Sequence, residues 1–322
     1  MVHFLHQRRE NMKIKLNQLD VLLEVAAQGS IGKAARTLHL TQPAISKTIQ
    51  EMEAEIGMPI VERSSRGVAL NEYGQVLLRH ARDIDRSLSQ AREEIDHLLG
   101  KAMSQLRVGF TSAASYGPFT TTLLNYQQRF PGVKLIAMEG RPHQLYDALE
   151  NSRIDLAVIS ATDGMRIAPM YYEMLYSLNN SIIAGQQHPI THTTSLRKLL
   201  AYTWLDWDEP GDHSILAQVF RRYNLPLPER VIHCSSPTIM ARLMEEAEMV
   251  SMWSSVRLRF PGYQQTLRPL TLKEVLPATD IGILCPNIGR LSTAGQTFIE
   301  MLRVVSRDWL QQNDAREMVV QK

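Results

Sequence analysis

The side chains best suited to chemistry in this sequence are hydrogen-bonding groups, and they gather in one short run: Thr41, Gln42, Ser46 and Lys47, with Pro43 and Ala44 between them. Thr41 can cap a helix by accepting a backbone N–H, and Pro43 fits a first helical turn, where its missing donor costs nothing. Ile45, Ile49, Met52 and Ile56 then predict one buried face, leaving Gln42, Ser46, Lys47 and Gln50 on the other. A capped helix start with these side chains can read nucleic acid. The Gln amide matches the donor and acceptor on an adenine edge, and Lys47 suits a guanine edge or a phosphate. Free amides at the helix start hold phosphate. For Lys47 alone a solvated surface is the better account; the set, in this order, points to DNA.

Neighbouring elements must hold that helix. Leu16, Leu19, Leu23 and Ala26 recur at helical steps, Gly29 stops the helix they form, and Ser30 caps the next. The second helix presents Ala34, Ala35 and Leu38 inward, and its small residues permit a steep crossing. Ser30 and Lys33, at its start, join the expected DNA contacts. Gly57 closes the third helix. Residues 58–61 and 68–70 are then expected as short strands joined by Arg63-Ser64-Ser65-Arg66-Gly67. This basic wing could reach the minor groove or backbone with Arg63 and Arg66.

The run from Gly29 to Gly74, GSIGKAARTLHLTQPAISKTIQEMEAEIGMPIVERSSRGVALNEYG, resembles the winged helix-turn-helix of LysR-type regulators. The matching positions are Gly29-Ser30, Ala34-Ala35, Leu38, Gln42-Pro43-Ala44, Ser46, Glu53, Gly57, Arg63, Leu70 and Gly74. The family usually has an aromatic at Ile31, Leu-Phe at Ile60-Val61 and Thr at Asn71, so this chain departs from the pattern there conservatively.

From residue 72 to about 100 the pattern changes. Leu77, Ala81, Ile84, Leu88, Ala91, Ile95 and Leu98 alternate four and three residues apart, a heptad seam flanked by charges. A monomer could bury such a seam in its own core. Between two domains little core is at hand, so it reads as a dimerisation helix, and the resemblance implies the same. A two-fold dimer would present two recognition helices to an imperfectly palindromic double-stranded site.

Beyond a hinge near residues 100–104, strands and helices alternate. Residues 105–110, 133–138 and 154–160 read as strands and the segments between them as helices, which argues for an α/β sheet covered on both faces. A second such region runs from about 181 to 276, and residues 280–309 return with a strand and a closing helix. The resemblance implies an effector domain of two subdomains like periplasmic binding proteins, joined by two crossover strands. Within the family the likeness is to the branch controlling use of aromatic acids, aminobenzoyl-glutamate or aryl sulfonates.

The expected architecture is therefore α+β and multidomain. It comprises a tail at 1–11, a winged helix-turn-helix at 12–71, a linker helix at 72–100 and an α/β effector domain at 104–322. Subdomain I of that domain would take 104–180 and 280–312, and subdomain II 181–279. A ligand would sit beyond the carboxyl ends of strands. Ser112, Ala113, Ala114 and Ser115 are expected to open a helix there and hold a carboxylate or sulfonate. Arg141 would supply countercharge, and Thr162, Ser236, Pro237 and Thr238 would line the opposite wall. For each hydroxyl, simple helix capping is the commoner role.

Composition constrains the alternatives. The 322 residues are 44% hydrophobic and 21% charged, as in ordinary soluble domains, with net charge only +2, so the case for DNA rests on placement of charge. No apolar run matches a membrane span, and Met1 to Gln7 is too short and polar for a signal peptide, so a cytoplasmic location is expected. Met12 is an alternative start. Two cysteines, Cys234 and Cys285, suggest neither a disulfide scaffold nor zinc; a redox-sensing regulator is one rival reading. Another is an enzyme using Asp206, Asp208 and Glu209 near His213, although no nucleophile elbow, phosphate loop or metal spacing appears. No cofactor is expected. The partners implied are DNA, a small effector, a second copy of the chain in a homodimer or homotetramer, and RNA polymerase.

Overall fold

In a computed structural model, residues 13–64, 67–98, 105–161, 168–190, 193–207, 211 and 214–320 are described. The expected tail at 1–11, Arg66, Thr162 and the group Asp208, Glu209 and His213 lie outside them. The chain divides into two compact units, residues 1–102 with 150–152, and residues 103–149 with 153–322.

The first unit is built on three helices, α1 (Leu16–Gln28), α2 (Ile31–Thr37) and α3 (Gln42–Ile56). Their apolar stripes meet in one core containing Leu22, Ala34, Ala35, Ile45, Ile49 and Met52. Gly29 and Gly57 end α1 and α3 with left-handed backbone, φ +59° and +79°. Strands β1 (Val61–Ser64) and β2 (Gly67–Leu70) pair antiparallel, with Val61 opposite Leu70 and Ser64 opposite Gly67. The first strand thus begins three residues later than the expected 58–61. Pro59 has no N–H, and the N–H of Ile60 is engaged by the Glu53 carboxylate. The Ile60 carbonyl still accepts the Asn71 N–H at 3.2 Å, but the paired strand runs from Val61, so Arg63 stands on a strand opposite Val68 rather than in a five-residue turn.

Helix α4 (Glu72–Leu98) follows. Asn71 caps it by accepting the Gly74 N–H at 3.0 Å, and donates its own amide N–H to the Pro59 carbonyl at 2.8 Å. Asn thus fills the position where the family usually has Thr and adds a tie to the wing. Leu77 and Ala81 join the three-helix core, whereas Ile84, Leu88 and Ile95 are 41%, 50% and 55% exposed.

The second unit holds two five-stranded sheets. The first is ordered β4-β3-β5-β12-β6, from β3 (Gln105–Phe110), β4 (Lys134–Glu139), β5 (Leu156–Ala161), β6 (Tyr171–Leu178) and β12 (Thr279–Cys285). The second is ordered β11-β7-β10-β8-β9, from β7 (Asn180–Gly185), β8 (Thr203–Asp206), β9 (Val231–His233), β10 (Met249–Ser254) and β11 (Leu267–Leu270). Helices α5 (Pro118–Arg129), α6 (Pro142–Glu150) and α11 (Thr293–Val320) belong with the first sheet, and α7 (Leu196–Leu199), α8 (Ile215–Arg222), α9 (Pro237–Glu246) and α10 (Tyr263–Thr266) with the second. Both sheets are mixed, because β12 runs antiparallel to β5 and β6, and β7 to β10 and β11. The chain crosses between sheets at Asn179, between β6 and β7, and returns before Thr279. The amide of Asn180 donates to Pro277 O and to Thr279 Oγ1, each at 2.8 Å, and ties the two crossings together.

The segment 112–115 does not open a helix. The N–H groups of Ala114, Ser115 and Tyr116 are taken by the carbonyls of Thr111, Ser112 and Ala113, forming a turn. Helix α5 starts only at Pro118, whose fixed φ and absent donor suit that position.

Candidate functional site

Two places in the chain collect polar groups. The first is the start of α3. Thr41 Oγ1 accepts the Ala44 N–H at 3.3 Å, and Ser30 Oγ accepts the Lys33 N–H at 3.4 Å at the start of α2. Each cap leaves the remaining first-turn amides of its helix unspent. Thr41, Gln42, Pro43 and Lys47 are exposed and Ala44 and Ser46 half-buried, so they share one accessible helix end, with Lys33 exposed beside it on α2. Lys47 makes only a loose surface pairing with Glu51, 4.0 Å apart, which leaves it available to a phosphate. A Cβ on Gly32 would lie 2.9 Å from Gln42 Nε2, so the absence of a side chain on α2 lets the Gln42 amide rest there. Sequence reading missed this role for Gly32; the only signal was a glycine inside a short helix.

At the base of the wing the Val68 N–H donates to Gly29 O at 3.0 Å. A Cβ on Gly67 would come within 2.4 Å of that same oxygen, and Gly67 has φ +133°. The wing is therefore held against the end of α1 by a contact that only glycine permits. The side chain of Arg63 is not among those described.

The second place is a cavity of about 700 Å³ between the two sheets of the second unit, a size typical of small-molecule sites. Ser112, Ala113 and Arg141 line it; Ala114 is wholly buried in the core of the first sheet, and Ser115 turns its hydroxyl to Ser112 O at 2.7 Å. On the far wall Ser235 lines the cavity, while Ser236 caps α9 by accepting the Ile239 N–H at 3.4 Å and Pro237 opens that helix. Thr238 is exposed and is not part of the lining. Asn180 and Thr279, the ties between the crossings, both line the cavity.

Sequence reasoning overlooked the dominant group. Arg257, in the 3-10 turn Ser255–Arg259 after β10, is 3% exposed and lines the cavity. Its guanidinium carbon lies 4.2 Å from the centroid of Trp207, 4.5 Å from Tyr116 and 4.8 Å from Trp253. Desolvated ring contacts of this kind contribute about 0.5–2 kcal/mol each. Its Nη2 donates to Ser112 Oγ at 2.9 Å, whereas Nε and Nη1 have no hydrogen-bond partner. Burial pulls the guanidinium below its ordinary range, and burial likewise raises the Tyr116 phenol. In sequence Arg257 is one of two arginines in an apolar stretch, and nothing local marks it.

The two cysteines belong to different cores: Cys285 is buried in the first sheet's core, and Cys234 packs against the second's. Asp206, of the rival acid-base cluster, is buried with a carboxylate oxygen 3.9 Å from His233 Nδ1.

Comparison with known proteins matches both units. Residues 16–75 match the bacterial regulatory helix-turn-helix protein model of the lysR family, and residues 100–306 match the LysR substrate binding domain. The chain is 25% identical over 293 residues to the HTH-type transcriptional regulator TdcA of Escherichia coli, covering 91% of this chain and 93% of that protein. It is 30% identical over 223 residues to the HTH-type transcriptional regulator CbbR of Rhodospirillum rubrum, covering 69% and 73%. The crystal structure of full-length CbnR complexed with its target DNA shares the fold, with a TM-score of 0.56 at 16% identity, covering 91% of this chain and 100% of that one. The two family models between them match residues 16–75 and 100–306, the helical unit and the two-sheet unit in order, so the chain belongs to the LysR family of DNA-binding transcription regulators.

Proposed function

We propose that this regulator reads an imperfectly palindromic promoter site as a homodimer, or as a homotetramer of such dimers, and that a small organic acid in the cavity modulates its engagement. The accessible start of α3 carries the DNA half of this reading. Gln42, Ser46 and Lys47 would meet base edges and phosphate, Thr41, Pro43 and Ala44 would present the helix amides, and Ser30, Lys33, Arg63 and Arg66 would hold the backbone. The exposed seam of Ile84, Leu88 and Ile95 on α4 supports dimerisation, because apolar side chains at heptad spacing gain by pairing.

The cavity of about 700 Å³ carries the effector half. A ligand there contacts both sheets, so it would favour one arrangement of the two over another and shift the population of DNA-binding states. The protein would act in the cytoplasm by binding alone, without catalysis, and RNA polymerase would be its partner at the promoter. Among the described residues no helix is long and apolar enough to cross a membrane.

The test is a mobility-shift and footprinting assay on DNA upstream of its own gene at fixed salt. Wild type should retard this DNA specifically. Gln42→Ala should lose about 1–3 kcal/mol of discrimination, and Arg66→Ala should weaken binding to all sequences and lower the salt slope by about one. Organic acids should alter the wild-type footprint. Absence of specific binding to any genomic fragment, with or without organic acids, would sink the reading.

A further inference from the structure

Arg257 has five N–H donors, and the structure occupies one of them. Among the described residues no carboxylate lies within ion-pair distance of it. Three aromatic faces stabilise the charge but leave Nε and Nη1 without acceptors. A buried cation with open donors, on the wall of a cavity large enough for a ligand, is a half-made anion site. Trp253 adds a second unfilled donor: its Nε1 is buried without a partner, and the residue lines the same cavity. The planar fork of a guanidinium matches the two oxygens of a carboxylate, and Ser112, already bonded to Arg257, stands beside it.

The rest of the lining limits the ligand. Leu205, Leu216 and Met252 offer an apolar wall suited to a hydrocarbon or aryl body. The charged lining residues are Arg141, Arg257, Glu139 and Asp206, two of each sign. A monoanion needs only Arg257 as its partner, whereas each further negative charge on a ligand adds repulsion from Glu139 and Asp206 with only Arg141 left to offset it.

We propose that Arg257, held by Trp207, Trp253 and Tyr116, is the anion-recognition residue of this cavity, and that it takes the single carboxylate of a ligand with an apolar body. This rests on the reading of the cavity as the effector site and adds the ligand's chemical class and the residue that selects it.

The experiment titrates the full-length protein with benzoate, its neutral isostere benzamide and the dianion phthalate at constant ionic strength. Trp fluorescence, which Trp207 and Trp253 report, is read alongside thermal shift. Benzoate should give a saturable response and bind about tenfold or more tightly than benzamide, since a site built for a charged partner rejects an analogue lacking it; phthalate should bind more weakly than benzoate. Arg257→Gln should abolish the preference for benzoate over benzamide, and Ser112→Ala should weaken benzoate binding several-fold. Arg257→Lys, which keeps the charge without the fork, should retain weakened benzoate binding, and its melting curve tests that the fold survives. Equal binding of benzoate and benzamide, no saturable response to benzoate, or full benzoate affinity in folded Arg257→Gln would each overturn the proposal. Footprinting separates it from the broader reading. A carboxylate that changes the footprint of wild type and Arg257→Gln alike keeps the effector reading and removes Arg257 from it. Binding through Arg257 that leaves the footprint unchanged keeps the anion site and removes its role as effector site.

Discussion

The carboxylate of Glu53 accepts the backbone N–H of Ile60 at 2.9 Å, so the end of α3 holds the wholly buried residue that leads into β1. Glu53→Ala would leave that N–H without an acceptor, at a cost of about 1–3 kcal/mol. Glu53→Gln keeps an amide oxygen in place and should lose less. Calorimetric unfolding of both variants checks this, and an equal loss in the two would count against the hydrogen bond as the cause.

Gly32 and Gln42 make a second pair. Gly32→Ala would put a methyl group 2.9 Å from Gln42 Nε2 and displace the amide. Alanine favours the helix by about 1 kcal/mol over glycine, so the melting temperature should hold or rise while specific DNA affinity falls. Gln42→Ala combined with Gly32→Ala should then lose no more affinity than Gln42→Ala alone. Full additivity in mobility shift would show that the two residues act separately.

The outer seam of α4 makes a third case. Leu88 is 50% exposed between Ile84 and Ile95. If that stripe pairs two chains, Leu88→Glu should shift the mass in size-exclusion light scattering towards monomer and weaken operator binding, with little effect on the melting of the folded units. An unchanged mass would place the dimer contact elsewhere.

His188 gives a pH dependence. It is 4% exposed, its Nδ1 accepts the Ile190 N–H at 3.3 Å, and its ring packs on Tyr202. Burial first, and the nearby Arg268 charge second, lower its pKa from the ordinary 6.5. The folded state therefore favours neutral imidazole, and below pH 6.5 the unfolded chain binds the extra proton. Stability from this group is complete above that pH and declines as pH falls from 6.5 towards the lowered folded value. His188→Gln, which keeps an acceptor and does not titrate, should flatten that part of the curve in pH-dependent melts. An unchanged slope would assign it to other groups.

Much of the DNA-binding unit was legible in the residues. Helix periodicity, Ser30 and Thr41 as caps, and Gly29 and Gly57 as stops are local signals, acting within one or two turns. The same signals located α4 and the strands β3, β4, β5 and β12 of the second unit. They failed where a local cue had two meanings. The turn at 112–115 has the composition of a helix start, and Pro118 decides that the helix begins later.

Periodicity tells which face of an element is buried but not what it is buried against. The antiparallel return of β12, the tie from Asn180 to Thr279 and the packing of Tyr116 and Trp207 on Arg257 all join residues tens of positions or more apart in the chain. Arg257 in its own segment is an ordinary basic residue among apolar neighbours. Its role arises because the fold brings Tyr116, Trp207 and Trp253 around it and Ser112 against it, removing water from a charge that keeps two of its nitrogens without partners. Desolvation of this kind depends on long-range packing, so it leaves no mark on the local sequence.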